Sequence, residues 1–94
     1  MRIRWTEQAS RNLDDVEAHI AQDNPDAAIQ VVLTIIRAVE QLLVYPNLGR
    51  PGRVPGTREL VISGTPFLVP YRVRREAIEI LRVFHGAMRW PEQF

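Results

Sequence analysis

Residues 24–44 read NPDAAIQVVLTIIRAVEQLLV and form the most strongly patterned stretch of the chain. Asn24 can cap a helix, and Pro25 suits the first helical position. Apolar side chains then recur at helical spacing: Ala28, Val31, Val32, Ile35, Ile36, Val39, Leu42 and Leu43. The stretch therefore predicts a helix over residues 26–44, with an apolar face wide enough to touch both a second helix and a sheet.

The residues before this stretch predict a strand and a first helix. Arg2 to Trp5 alternates charged and apolar side chains, as a short strand does. Thr6 is placed to cap a helix that ends near Asp23. One apolar stripe marks that helix: Ala9, Leu13, Val16 and Ile20. Because the connection at Asn24-Pro25 is so short, we expect the two helices to form an antiparallel hairpin.

The residues after the helices predict a loop followed by a sheet. Residues 46–57 read PNLGRPGRVPGT, where no regular element is expected. Three alternating segments follow, over residues 58–63, 67–73 and 77–85. Pro70 lies inside the second of them and predicts a bulge or an edge position, because proline cannot donate to a ladder.

The order of these elements predicts one domain over residues 1–94 of the α+β class. Its topology is β-α-α-β-β-β: an N-terminal strand, a helix hairpin and a three-stranded antiparallel meander. The helices should pack on one face of the sheet. The other face should be open and lined in part by the C-terminal arginines.

Composition and charge limit the kinds of function. With no cysteine and only two distant histidines, the chain predicts no disulfides and neither a metal nor a cofactor. Without a signal peptide or a membrane-spanning apolar run, a cytoplasmic location is expected. Residues 1–49 carry four arginines against seven acids, whereas residues 50–94 carry eight arginines against four. This asymmetry predicts that the C-terminal half faces an anionic partner, either nucleic acid or an acidic protein segment.

His85 is the one plausible acid–base residue, at the end of the last predicted strand. With Arg72 and Arg82 on phosphate, it could in principle cleave RNA at a 2′-hydroxyl. The alternative is structural: His85 caps the sheet edge and hydrogen-bonds the residues that follow. The two tryptophans, Trp5 and Trp90, are expected to pack rather than to stack on a ligand.

Four segments together resemble the RelE/ParE superfamily of type II toxins: GRPGR at 49–53, TREL at 57–60, PFLVPYRV at 66–73 and ILRVFHGAMRWP at 80–91. The resemblance covers essentially the whole chain and implies the fold expected above. It also implies a toxin neutralised by a cognate antitoxin, as in plasmid stabilisation modules. The antitoxin would have a DNA-binding N-terminal domain and a tail that wraps the toxin, so that operator DNA is bound only through the antitoxin.

Within the superfamily, the chain departs from the nucleases. It has Leu68 where some nucleases carry a basic residue and Gly52 where one type carries a glutamate, and no tyrosine follows His85. The resemblance therefore favours a ParE-like toxin, which inhibits DNA gyrase and has no catalytic residues of its own. Its target-contact candidates are two loop arginines and two tail residues: Arg50, Arg53, Arg89 and Trp90.

Other possibilities stay open beside the ParE-like prediction. A RelE-like toxin would be a ribosome-dependent mRNA endoribonuclease acting through His85, Arg72 and Arg82. An inactive toxin fold that survives as a regulatory partner is a third possibility. In each case we expect an acidic antitoxin tail to bind the arginines of the sheet and to lie against the helix hairpin. These sheet arginines are Arg72, Arg74 and Arg82.

Overall fold

The computed structural model describes residues 1–87 and 89–94. The chain forms β1 (Arg2–Trp5), α1 (Glu7–Ala21) and α2 (Pro25–Glu40), which a 3-10 turn extends over Gln41–Leu43. Five strands follow: β2 (Arg50–Pro51), β3 (Arg58–Val61), β4 (Phe67–Val73), β5 (Ala77–Ile80) and β6 (Phe84–His85). The second helix is therefore shorter than predicted, because its last predicted turn tightens from α to 3-10 geometry.

Both helices begin at the predicted caps. The Thr6 hydroxyl accepts a hydrogen bond from the Ala9 N–H at 3.2 Å, and the Asn24 side chain accepts one from the Ala27 N–H at 3.1 Å. The Thr6 hydroxyl also donates to the Ile80 carbonyl at 2.7 Å. The cap of α1 thus fastens this helix to the end of β5 as well as starting it.

The predicted fold class is confirmed: two helices pack on one face of a mixed sheet. The strand order is β1-β5-β4-β3-β2, with β6 beside β4, and β1 runs parallel to β5. Alternation along β4 directs Val69 and Tyr71 into the core beneath the helices and Leu68 and Arg72 to the outer face. Two details differ from the prediction, since the loop contains the short strand β2 and the last strand is divided into β5 and β6.

Pro70 explains the divided strand. It lies in the central strand β4, where its carbonyl accepts a hydrogen bond from the Leu81 N–H at 3.0 Å. Because proline has no N–H to return, residues 81–83 leave the ladder, and pairing resumes where Phe84 lies opposite Leu68. The predicted irregularity is present, but it lies in the neighbouring strand.

The core lies between the helix hairpin and the sheet. Its helical side chains are Ala9, Ile35, Val39 and Leu42, and its sheet side chains are Leu60, Ile62, Val69, Tyr71, Ile78 and Ile80. Among the described residues, no helix has the length and apolarity to cross a membrane. The loop between α2 and β3 lies outside this core, and so do Trp90 and Phe94 after β6. These residues form the surface of the molecule that carries the candidate site.

Candidate target-contact site

Glu59 organises the arginine-bearing loop. Its side chain is 1% exposed, and its carboxylate accepts hydrogen bonds from Arg50 Nε and Nη2 at 3.2 and 3.0 Å. The backbone N–H of Arg53 donates to the second carboxylate oxygen at 2.7 Å, and Arg53 Nε lies 3.8 Å from it. A buried carboxylate is stable only when its oxygens are satisfied in this way. Glu59 therefore holds both loop arginines in place, with their side chains half exposed.

Tyr71 anchors the start of the same loop from below. Its hydroxyl donates to the Pro46 carbonyl at 2.7 Å and accepts from the Gly49 N–H at 2.9 Å. A Cβ at Gly49 would lie 2.6 Å from Tyr71 Cε1, so only glycine allows this approach. Burial raises the pKa of the Tyr71 phenol, while the Gly49 hydrogen bond and the nearby Arg58 charge oppose that rise.

Two aromatic residues that follow β6, Trp90 and Phe94, lie over the outer face of the sheet. The Trp90 ring packs edge-on against Phe84 at 4.9 Å between centroids, and Phe94 lies 6.1 Å from Phe84. Arg53 lies over the Trp90 ring at 4.2 Å, and Arg82 lies over the Phe94 ring at 5.4 Å. Both distances are within the range of cation–π attraction. The outer face is thus partly covered, which differs from the open face that was predicted.

Three of the four target-contact candidates consequently meet at one place. Arg50 and Arg53 share the Glu59 carboxylate, and Arg53 stacks on Trp90. Arg89 is exposed and directly precedes Trp90. We refer to Arg50, Arg53, Arg89 and Trp90 as the arginine–tryptophan surface. It combines cationic groups with an aromatic ring, which suits contact with an acidic or nucleic-acid surface.

His85 lies on the opposite side of the sheet from this surface. It pairs with Phe67, whose ring it meets edge-on at 5.8 Å, and Phe67 packs against the core beneath the helices. A cavity of about 380 Å³ beside α1 contains both histidines of the chain in its wall, together with Asn12 and Asp15. The Ala87 N–H donates to His85 Nδ1 at 3.1 Å, so the neutral ring carries its proton on Nε2. The hydrogen bond to the following residues matches the structural alternative for His85.

The sheet arginines occupy a third location. Arg72 lies opposite Glu79 in the β4–β5 register, and Arg74 Nε is 3.1 Å from the Glu79 carboxylate, which also bonds Arg4. These hydrogen bonds, from Arg4 first and then Arg74, lower the pKa of Glu79. Arg72 and Arg74 therefore lie together, while Arg82 lies beside Phe94 and donates to the Leu81 carbonyl at 2.7 Å. His85 joins neither group.

Two polar residues with a clear structural role were missed by the sequence reasoning. Glu59 follows two arginines of the loop, at distances of nine and six residues, and this excess of cations could have indicated a carboxylate that binds them. Asn12 accepts a hydrogen bond from the Val83 N–H at 3.2 Å and so serves the broken strand. No sequence signal distinguishes Asn12 from an exposed helical asparagine.

Across residues 1–87 and 89–94, no three histidine or acidic side chains are grouped to hold a metal ion.

Comparison with known proteins identifies the class. The family profile described as "ParE toxin of type II toxin-antitoxin system, parDE" matches residues 3–90. The chain belongs to this family and is a toxin of the ParE type.

Two relatives agree with this assignment. "Putative toxin Y4kP" of Sinorhizobium fredii is 50% identical over 91 residues, which are 97% of this chain and 94% of the relative. A solved chain titled "Chromosomal ParDE TA system from P. aeruginosa" superposes with a TM-score of 0.83 at 35% identity, and the match covers 90% of this chain and 95% of that one.

Proposed function

We propose that this toxin inhibits DNA gyrase through the arginine–tryptophan surface and is neutralised by a cognate antitoxin. The observation that carries the proposal is the separation of His85 from Arg72 and Arg82. His85 faces α1, whereas Arg72 is on the outer face and Arg82 lies against Phe94. General acid–base cleavage of RNA needs the base and the phosphate-binding cations around one phosphate.

The hydrogen bonding of the two ring nitrogens of His85 supports the same proposal. With Nδ1 accepting from Ala87, the neutral ring presents an N–H donor at Nε2 and no free acceptor. Such a ring cannot take a proton from a 2′-hydroxyl without losing its hydrogen bond. The arginine–tryptophan surface, in contrast, already has its cations oriented by Glu59 and its ring held by Phe84. A preorganised surface of this kind lowers the cost of ordering these side chains when a partner binds.

The partner proposal rests on family membership and on the solved ParDE relative, whose title names a toxin–antitoxin system. We infer that the antitoxin is encoded beside this toxin and is acidic where it meets the arginines of the C-terminal half. Together the pair would occupy operator DNA through the antitoxin.

The test is a supercoiling assay with purified gyrase, run beside an in vitro translation reaction probed for mRNA cuts. Inhibited supercoiling with intact mRNA is expected. Arg53→Glu should weaken inhibition at least about tenfold, since it reverses a contact charge. His85→Ala and the matched exposed control Arg75→Glu should leave inhibition within about twofold. Cleaved mRNA that depends on His85, with normal supercoiling, would establish the ribosome-dependent nuclease instead.

A further inference from the structure

Four arginines lie together on the outer face of the sheet, near the edge that β1 forms. The strand β1 contributes two of them, because its apolar side chains pack against the core and its arginines alternate with those. In the pairing register Arg4 and Arg72 lie on either side of Glu79, and Arg74 Nε is 3.1 Å from the Glu79 carboxylate. We call these four residues the outer arginine group: Arg2, Arg4, Arg72 and Arg74.

The outer arginine group is strongly positive, although it surrounds one acid. Glu79 bonds both Arg4 and Arg74, and its own side chain is only 16% exposed. The two arginine side chains remain 45% and 58% exposed, so Glu79 orients them while they still present N–H donors to solvent. Four arginines and one glutamate give this surface a net charge of +3, and the nearby turn adds Arg75 and Glu76, whose charges cancel.

The spacing of the group suits a run of phosphates. Neighbouring strands lie about 4.8 Å apart, so the backbones of Arg4 and Arg72, two strands apart, are separated by roughly 10 Å. Arg2 and Arg4 are two residues apart on β1, which corresponds to about 7 Å. Duplex DNA carries one negative charge per about 1.7 Å of its axis, so a stretch of roughly 10 Å carries about six. Because a guanidinium binds phosphate through a fork of N–H donors, the group can contact several phosphates at once.

The same surface is less suited to a peptide. Extended peptides add to the edge of a sheet or place side chains in apolar pockets, whereas the outer arginine group lies on a sheet face. The exposed large apolar side chains lie elsewhere, mainly on α2 and in the segment after it: Ile29, Leu33, Leu43, Val44, Tyr45 and Leu48. Binding through guanidinium groups alone is typical of contacts with a nucleic-acid backbone.

We propose that the outer arginine group binds the phosphate backbone of duplex DNA, whatever its sequence. Backbone contacts carry no sequence information, so recognition of operator DNA stays with the antitoxin. The inference goes beyond the proposed inhibition of gyrase, because the toxin alone should bind DNA. The arginine–tryptophan surface lies on the same face of the sheet, so a toxin bound to gyrase could also hold the DNA on which gyrase acts.

Fluorescence anisotropy with the toxin alone and short labelled duplexes tests the inference. Two duplexes of unrelated sequence should bind equally, with a dissociation constant in the micromolar range at about 50 mM salt. Between about 50 and 200 mM salt the affinity should fall by a factor of roughly 50–100, as expected for three or four phosphate contacts.

Variants of the group identify the surface that binds. Arg72→Ala should weaken binding to both duplexes equally and reduce the slope of log affinity against log salt by about one. Arg2→Ala should do the same, and it repeats the test at a more exposed residue. The double variant Arg2→Ala/Arg72→Ala should lose at least about tenfold in affinity. Its matched control, Arg11→Ala/Arg37→Ala, removes the same charge from the exposed faces of the helices and should stay within about twofold of wild type.

Three results would overturn the inference. One is that neither duplex binds at about 50 mM salt, which would leave the gyrase proposal standing. Another is wild-type affinity for the double variant with lost binding for Arg53→Glu, which would place DNA on the arginine–tryptophan surface. The third is normal DNA binding by the double variant with about tenfold weaker binding to the antitoxin, which would make the group a site for an acidic peptide. Normal supercoiling in the presence of a toxin that binds DNA as expected would overturn the gyrase proposal alone.

Discussion

At the scale of single residues, Glu59 contributes most to the candidate site. We expect Glu59→Gln to lower the free energy of unfolding by about 2 kcal/mol, because a buried amide cannot accept all the hydrogen bonds that the carboxylate accepts. Urea unfolding measures this change, and the exposed Glu40→Gln on α2 is the matched control. The same variant should weaken gyrase inhibition, since Arg50 and Arg53 lose their shared anchor. Wild-type stability for Glu59→Gln would show that the loop has no need of the carboxylate.

Tyr71 provides a second prediction at this scale. Tyr71→Phe should cost roughly 1–3 kcal/mol, because it leaves the Gly49 N–H and the Pro46 carbonyl without their partner. The raised pKa of the Tyr71 phenol adds a pH dependence. Its contribution is fully present below the unfolded pKa of about 10 and is lost as the pH rises through the folded value. Unfolding of both proteins from pH 8 to 11 should show a steeper decline for wild type than for the variant; parallel declines would contradict this.

The residues that sequence reasoning found and missed differ in how far their partners lie along the chain. Thr6 and Asn24 were identified as caps because each bonds an N–H three residues away. Glu59 was missed because its role depends on a loop that folds back onto β3. The separation of His85 from Arg72 could not be predicted from the sequence either, because it depends on the residue at which β6 begins to pair with β4 after the break that follows β5. A helix cap can be predicted from residues close together in the sequence. A group of side chains from different strands can be predicted only when the pairing register of those strands is known.

At the scale of elements, the two helix caps differ in what they connect. Asn24→Ala should lower the free energy of unfolding by about 1 kcal/mol, the usual effect of an N-cap. Thr6→Ala should cost about 2 kcal/mol, because the Thr6 hydroxyl also donates to the Ile80 carbonyl and ties α1 to β5. Chemical denaturation of the two single variants compares them directly. Equal losses would mean that the bond to Ile80 adds nothing to stability.

The elements were predicted with their order intact, and the errors fall where tertiary pairing overrides local pattern. The apolar pattern of residues 26–44 could not distinguish an α-helical end from the 3-10 turn at Gln41–Leu43. The strand Arg50–Pro51 lies in a loop of prolines and glycines and exists only because β3 pairs with it. Pro70 did predict an irregularity. Pro70 itself, which lacks the N–H donor, lies in β4, whereas the interrupted strand is its neighbour, which is divided into β5 and β6.

At the scale of the whole molecule, the Glu79 cluster joins the N-terminal strand to the C-terminal half of the chain. Arg4 of β1 and Arg74 after β4 both bond the Glu79 carboxylate on β5, where the parallel pair of β1 and β5 forms one edge of the sheet. In this ion pair the cation, Arg4, belongs to the net negative first half of the chain, and the anion, Glu79, belongs to the net positive second half. Hydrogen bonds from Arg4 and Arg74 lower the pKa of Glu79, so its contribution is present above the unfolded value, about 4.3, and is lost as the pH falls through the folded value.

Glu79→Gln tests whether this cluster stabilises the β1–β5 edge of the sheet. The variant should be less stable than wild type at pH 7 by up to about 1 kcal/mol, a modest amount because both arginines are largely solvated. The difference should shrink as the pH falls below about 4, and it should also shrink in 1 M salt, which screens the arginine charges. Urea unfolding at pH 7 and pH 3, each at low and high salt, separates the terms. A loss that persists at pH 3 would assign the effect of Glu79 to packing against Arg72 and Arg74, because a protonated carboxyl and an amide carry the same charge.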